Sequence, residues 1–202
     1  MFREQLAHLI EKADDLTVSG EADNIRDGFA LIKRTKPSIA IIDITLKGSN
    51  GLELLKDLRA HGVNVPVLVL SMHDESLYAE RALRAGARGY ITKHEVSGKV
   101  MAAIRHVLKG DLYLNPRFMS QIMTKLIVGR TGSGEPIERL ADRELEVFEL
   151  IGRGLTTREI GEQLRLGVTT VDTYKARIKE KLQLENVARL RLEASRWVHK
   201  QE

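Results

Sequence analysis

The 202-residue chain has no cysteine, which excludes disulfide bridges and metal centres built on thiolates. No run of about 18 apolar residues is present that could span a bilayer. Its first ten residues, MFREQLAHLI, lack the basic region, apolar core and cleavage site of a secretory signal. The expectation is a cytoplasmic protein with no membrane partner. Signs of enzyme chemistry are missing in the same way. The six histidines stand at 8, 61, 73, 94, 106 and 199, none at metal-ligand spacing. The stretch from Gly129 to Pro136 is rich in glycine but has neither the spacing nor the lysine of a phosphate-cradling loop, so it reads as a flexible linker. No nucleophile–base pair or cofactor fingerprint is recognisable, and the chain is not expected to be an enzyme.

What is present suits an ordinary globular protein: 43% hydrophobic and 30% charged residues, with length enough for two modest domains. The formal charge of +4 is compatible with a nucleic-acid partner but is spread evenly. From Arg139 to the end, 13 basic side chains stand against 11 acidic ones, and the rest of the chain carries the same excess of two. The local pattern is more informative: between Thr169 and Leu182 there are four basic and two acidic side chains, a patch suited to phosphates.

The first half alternates regularly. A helix is predicted over 2–12, with Phe2, Leu6, Leu9 and Ile10 on one face, then a strand over Leu16–Gly20 and a helix over about 24–36. A strand at 38–44, a helix at 51–61, a strand at 65–71, a helix at 75–86, a strand at 87–93 and a helix at about 96–109 follow. Short apolar strands alternating with helices predict a parallel sheet covered on both faces. Functional groups of such sheets gather at the carboxyl ends of the strands, and three strands here end in Asp43, Ser71 and Lys93. A carboxylate can accept a phosphoryl group, a hydroxyl can donate to it, and an ammonium can neutralise it. Any one of them alone could be the ordinary polar end of a strand.

Beyond an extended connection at 112–116, a helix is predicted from Pro116 to about Val128, and from Ile137 onward only helices. Leu145, Phe148 and Ile151 form the stripe of a support helix closed by Gly152 and Gly154. Thr156 and Glu159 have the spacing of a capping box; Ile160 and Leu164 face one way; Leu166-Gly167-Val168 breaks the period. A second helix restarts at Thr169 or Thr170, with Val171, Tyr174, Ile178 and Leu182 inward and Thr169, Asp172, Thr173, Ala176 and Lys179 outward. Two short helices around a tight turn, the second with a polar front, suit a helix-turn-helix, although a plain solvated helical hairpin has the same periodicity. Val187, Leu190 and Ala194 line a final helix.

Two resemblances rest on these residues. Arg143-Glu144-x-Glu146-Val147, Gly154-Leu155-Thr156-Thr157-Arg158-Glu159-Ile160, Thr170-Val171-Asp172-Thr173-Tyr174, Ile178 and Lys181-Leu182, in that order, closely resemble the LuxR-type DNA-binding domain of NarL/FixJ-family response regulators. Asp43, Ser71 and Lys93, with Gly51 eight residues after Asp43 and Tyr90 three before Lys93, resemble the receiver domain of the same family. Ala141 stands where a hydroxyl cap is usual, Tyr174 where histidine is common and Lys47 where proline is common. The resemblance implies a two-domain fold: an α/β receiver-like domain with a flavodoxin-like parallel sheet over 1–110, a linker helix and flexible linker over 111–136, and an all-α helix-turn-helix domain over 137–202.

By the same resemblance Asp43 is the phosphorylation site, Ser71 the switch hydroxyl, Tyr90 the switch aromatic and Lys93 the salt-bridging lysine. Asp172, Thr173 and Ala176 would meet base edges beside Thr169, with Thr157, Arg158, Lys175, Arg177 and Lys179 nearer the phosphates. The implied partners are double-stranded promoter DNA, a sensor histidine kinase, a second copy paired through the last helix, and RNA polymerase. Mg2+ is the implied cofactor, held by Asp43 together with an acidic pair that ends the family's first strand. This chain starts after that strand, and Asp14 and Asp15 lie one helix too late to replace the pair, so they read as a turn. In the family's strand order 2-1-3-4-5 the missing strand falls between 16–20 and 38–44, so the sheet must close the gap, borrow a strand or stay loose there. Two regulators fit: one switched by phosphorylation of Asp43, and a phosphorylation-independent one whose truncated receiver serves dimerisation or ligand sensing.

Overall fold

The structure is a computed structural model and describes residues 2–46, 49–72, 75–127 and 136–201. Lys47 and most of the glycine-rich linker, 129–135, lie outside the described residues. The chain divides into two compact units, Met1–Ile44 with Gly51–Met119 and Thr45–Asn50 with Ser120–Glu202. None of the described helices is long and apolar enough to cross a membrane.

In the first unit, α1 (Phe2–Glu11) and α2 (Ile25–Thr35) precede β1 (Ala40–Asp43); past a short hairpin, β2 (Thr45–Leu46) and β3 (Ser49–Asn50), which is grouped with the second unit, come α3 (Gly51–Ala60), β4 (Val67–Ser71), α4 (Glu75–Ala85), β5 (Gly89–Thr92) and α5 (Val96–Leu108). The helix α2 starts where Asn24 offers its side-chain oxygen to Asp27 N–H at 2.9 Å; replacing such a cap by alanine costs about 1 kcal/mol. The sheet has the order β1-β4-β5, all parallel. The strand β4 is buried along all five residues, as a continuous apolar run between two paired neighbours requires.

Leu68 and Leu70 face one side, where α1 supplies Leu6 and α5 supplies Val100, Ala103, Ile104 and Val107. The two-residue period turns Val67 and Val69 to the other side, and there Gly51 at the start of α3 lies against Ile42 while α2, α3 and α4 pack in succession. Each fully buried Leu or Val contributes roughly 1.5–3 kcal/mol. The extended connection after α5 adds one bridge at the sheet edge, with Tyr90 N–H donating to Tyr113 O at 3.0 Å and Tyr113 N–H to Arg88 O at 2.9 Å.

The strand predicted at Leu16–Gly20 is not formed; these residues are irregular and join no ladder. A strand exists only through a neighbour that takes its hydrogen bonds, and among the described residues β1 is paired on its β4 side alone. The segment is held by side chains instead: Leu16 packs on the α1–α5 cluster, and Arg3 of α1 reaches Glu21 at 2.6 Å. Asp14 and Asp15 form the predicted turn, and both carboxylate oxygens of Asp15 accept from Arg105, at 2.9 and 3.1 Å.

The second unit contains α6 (Pro116–Ile127, from Ser120 onward), a 3-10 turn at Pro136–Arg139, α7 (Asp142–Gly152), α8 (Thr157–Leu164), α9 (Val168–Leu182) and α10 (Val187–Gln201). Its core joins Leu145, Phe148 and Ile151 of α7 to Ile160 and Leu164 of α8, Val171 and Ile178 of α9, and Leu190 and Ala194 of α10. Where α7 meets α10, only a glycine fits: a Cβ on Gly152 would stand 2.4 Å from Ala194 O.

Candidate functional site

The parallel register staggers the three reactive strand ends along one edge. Asp43 lies opposite Leu70, one residue before Ser71, and Ser71 lies opposite Thr92, one residue before Lys93. Backbone bonds fix the stagger, with Ile44 N–H donating to Leu70 O at 3.0 Å and Lys93 N–H to Ser71 O at 2.7 Å. The Lys93 ammonium donates directly to Asp43 Oδ2. Its side chain is mostly buried, and the Phe2 ring of α1 lies 5.0 Å from Nζ, a distance at which the ring face attracts a cation. Ser71 and Tyr90 are fully buried. Nearby, the Lys99 ammonium at 2.5 Å, helped by the Thr92 hydroxyl at 3.0 Å, holds the Glu95 carboxyl below the usual range against its partial burial.

The edge thus brings an acceptor carboxylate, an ammonium and a hydroxyl to neighbouring strand ends, the set needed to take up and neutralise a phosphoryl group. It does not fit a magnesium ion, which asks for several oxygen donors. Asp43 Oδ2 is taken by Lys93, and among the described residues no three His, Cys, Asp or Glu side chains gather to hold a metal.

In the second unit α8 starts with a complete capping box: Thr156 N–H donates to Glu159 Oε2 at 2.7 Å and Glu159 N–H to Thr156 Oγ1 at 3.3 Å. The backbone bond to Oε2 first, and then the Thr156 hydroxyl donating to the same oxygen at 2.7 Å, hold the Glu159 carboxyl below its ordinary value. At α7 only half of this box exists. Ala141 has no side-chain acceptor, and Glu144 Oε2 accepts from Ala141 N–H at 2.7 Å.

The turn between α8 and α9 differs from the predicted break. The helical period breaks one residue before the predicted Leu166-Gly167-Val168: Arg165, at φ 55°, makes a left-handed reversal, and Gly167 caps α9 in an extended conformation. The helix therefore begins at Val168, one or two residues before the predicted start. Arg143 of α7 secures the end of α8, donating to Leu164 O at 3.0 Å while paired with Glu146 at 2.5 Å. The sequence quotes both residues but gives neither a role, because the Leu164 carbonyl is distant in the chain.

The outer face of α9 carries Thr169, Asp172, Thr173 and Ala176, all exposed, while Val171 and Ile178 behind it are fully buried. Thr173 spends its hydroxyl proton on Thr169 O at 2.9 Å, so what it can offer a ligand is a lone pair and a methyl group. The basic residues divide into two sets. Lys175 turns back to α8, donating to Thr157 Oγ1 at 2.7 Å and lying 3.4 Å from Asp172 Oδ1, and Lys181 reaches Glu144 at 2.6 Å. The side chains of Arg177 and Lys179 have no hydrogen-bond or ion-pair partner among the described residues. Arg158 is exposed and bonds Glu162 at 3.1 Å. A small polar front whose one charge is Asp172, with cations at its flank and the first turn of α8 beside it, has the layout of a helix that enters a major groove.

Residues 1–105 match the response regulator receiver domain family, and residues 138–194 match the luxR family of bacterial regulatory proteins. The oxygen regulatory protein NreC of Staphylococcus carnosus is 30% identical over 179 residues, covering 86% of this chain and 82% of the relative. The nitrate/nitrite response regulator protein NarL of Escherichia coli is 28% identical over 201 residues, covering 100% of this chain and 91% of the relative. Among solved structures, a LuxR-family two-component response regulator from Aurantimonas aligns at 30% identity with a TM-score of 0.57, covering 62% of this chain and 89% of that one. RcsB of Salmonella enterica bound to a promoter shares the fold at 22% identity and a TM-score of 0.57, over 95% of this chain and 92% of that one. The parallel sheet with its reactive strand ends and the helix-turn-helix that follows later in the chain therefore have one identity: the chain belongs to the NarL/FixJ-type response regulators, transcription regulators of two-component systems that join a receiver domain to a LuxR-type DNA-binding domain.

Proposed function

We propose that this regulator docks α9 into the major groove of promoter DNA and that the state of Asp43 controls the docking. The observation that carries the first half is the exposed Thr169–Asp172–Thr173–Ala176 face of α9 over the fully buried Val171 and Ile178. Asp172, Thr173 and Ala176 meet base edges beside Thr169; Thr157, Arg158, Arg177 and Lys179 meet phosphates, which fix register without reading sequence. Lys175 sits between Thr157 and Asp172. The working divisions are a receiver at 1–110, a linker at 111–136 and a DNA-binding domain at 137–202. A second copy pairs through α10 so that two half-sites are read about one helical turn apart. A sensor kinase supplies the phosphoryl group, RNA polymerase receives the output, and the protein works in the cytoplasm without catalysing a reaction of its own.

At the receiver edge a carboxylate oxygen of Asp43 attacks the phosphorus of a phosphoryl donor. The bond from phosphorus to the leaving group breaks, and the leaving group departs with its electron pair. Lys93 moves from the carboxylate to the new phosphoryl oxygens, and the Ser71 hydroxyl donates to them. Tyr90, buried beside this edge, follows the repacking as the switch aromatic. Magnesium has no part in this reading, because the donor set does not suit it. Intact mass after incubation with acetyl phosphate tests it: one phosphoryl group should be added to the native chain and none to Asp43→Asn.

A second reading, a phosphorylation-independent regulator whose receiver serves dimerisation or ligand sensing, is favoured by the ion pair that already occupies Asp43. The absence of any added mass would select it.

A further inference from the structure

The front of α9 contains one ionisable side chain among Thr169, Asp172, Thr173 and Ala176, and it is acidic. A carboxylate facing a polyanion is costly unless something neutralises it and unless it finds a donor. Lys175 meets the first condition. Asp172 is well exposed, with 59% of its side chain accessible, and its Oδ1 lies 3.4 Å from Lys175 Nζ. Lys175 is no swinging surface cation: only 14% of its side chain is accessible, and Nζ is anchored on Thr157 Oγ1 at 2.7 Å. The anchored ammonium holds Asp172 in place and offsets its charge.

We infer that Asp172 selects cytosine at one position of each half-site, with Lys175 as its positioning residue. A carboxylate can only accept hydrogen bonds. In the major groove cytosine presents its N4 donor, whereas adenine sets an N7 acceptor beside its N6 donor, and guanine and thymine present acceptors. The acceptor-only side chain is met best by cytosine. Thr173 and Ala176, the neighbours on this face, bring no charge that would compete for the same base. The inference rests on the docking of α9 proposed above and adds to it the base that is read.

The test is selection of bound duplexes from a randomised DNA library by the full chain, repeated with Asp172→Asn and Lys175→Met, each checked for an unchanged melting profile. The native chain should enrich cytosine at one position per half-site by about tenfold over the other bases, the order expected of one specific base contact. Asp172→Asn should move that position to adenine, since an amide can bond N6 and N7 together. Lys175→Met should blur the preference without lowering the salt dependence of binding, because an anchored ammonium releases no phosphate counterion. An unchanged sequence preference in Asp172→Asn overturns the assignment. If Lys179→Ala still weakens binding to every sequence, the docking of α9 stands and only the base reading fails. If the native chain binds no DNA, or neither Asp172→Asn nor Lys179→Ala changes binding, the docking itself fails and the assignment with it.

Discussion

Adding one methyl group at Gly161 separates local helix propensity from the geometry of the turn. In an exposed helix Gly→Ala stabilises by about 1 kcal/mol. Here the new Cβ would lie 2.8 Å from the backbone oxygen of Leu166, where ordinary van der Waals contact begins at 3.4 Å. That oxygen belongs to the turn between α8 and α9 and is not a flexible side-chain end. The turn is fixed besides by Leu166 N–H donating to Gly161 O at 2.8 Å. Overpacking of this kind costs roughly 1–3 kcal/mol, so the two terms leave Gly161→Ala between neutral and about 2 kcal/mol less stable. Binding should suffer as well as stability. Groups that make specific contacts must be held within about 0.5 Å, and retreat of the turn moves the start of α9. Urea unfolding and a DNA titration on the same samples should give a midpoint unchanged or lowered, by no more than about 2 kcal/mol of stability, and about a tenfold or greater loss of affinity, about 1.4 kcal/mol. A variant stabilised by the full propensity term and binding DNA as tightly as the native chain would refute the argument.

Three further outcomes follow from particular contacts. Lys179→Ala should weaken binding to all sequences alike and reduce the slope of log affinity against log salt by about 0.9, the release from one phosphate; a gel-shift titration at several salt concentrations reads this directly. Thr156 holds the Glu159 carboxyl below its ordinary value, so that carboxylate stabilises the fold above the pKa it has in the unfolded chain and loses this effect as pH falls through its folded value. The stability gap between the native chain and Glu159→Ala should therefore be full at neutral pH and close in acid, as followed by thermal melts; a gap independent of pH would count against the capping carboxylate. Lys93→Met should leave Asp43 without its counter-charge and slow the uptake of a phosphoryl group from acetyl phosphate at least tenfold, about 1.4 kcal/mol in the barrier, as read by intact mass over time.

Much of this fold is legible because its signals are local. The strands ending at Asp43, Ser71 and Lys93 are apolar runs between helical periods, and the Thr156–Glu159 box needs only four consecutive residues. Failures occur where the deciding partner is remote. Leu16–Gly20 has a strand's composition, yet among the described residues no strand pairs with it. The reversal before α9 falls on Arg165, a residue whose chemistry gives no warning of a left-handed conformation, while the visible glycine at 167 serves as a cap. Lys175 and Lys181 read as phosphate-seeking cations on a basic helix, and only the fold brings Thr157 and Glu144 within their reach.

The most direct test of the whole account is the affinity of the full chain for a duplex enriched from the random library, measured by fluorescence anisotropy before and after acetyl phosphate treatment, with Asp43→Asn in parallel. Treatment should tighten binding by the native chain and leave the variant unchanged. Equal affinity for all four samples, with the native chain carrying its phosphoryl group by mass, would contradict control of DNA binding through Asp43.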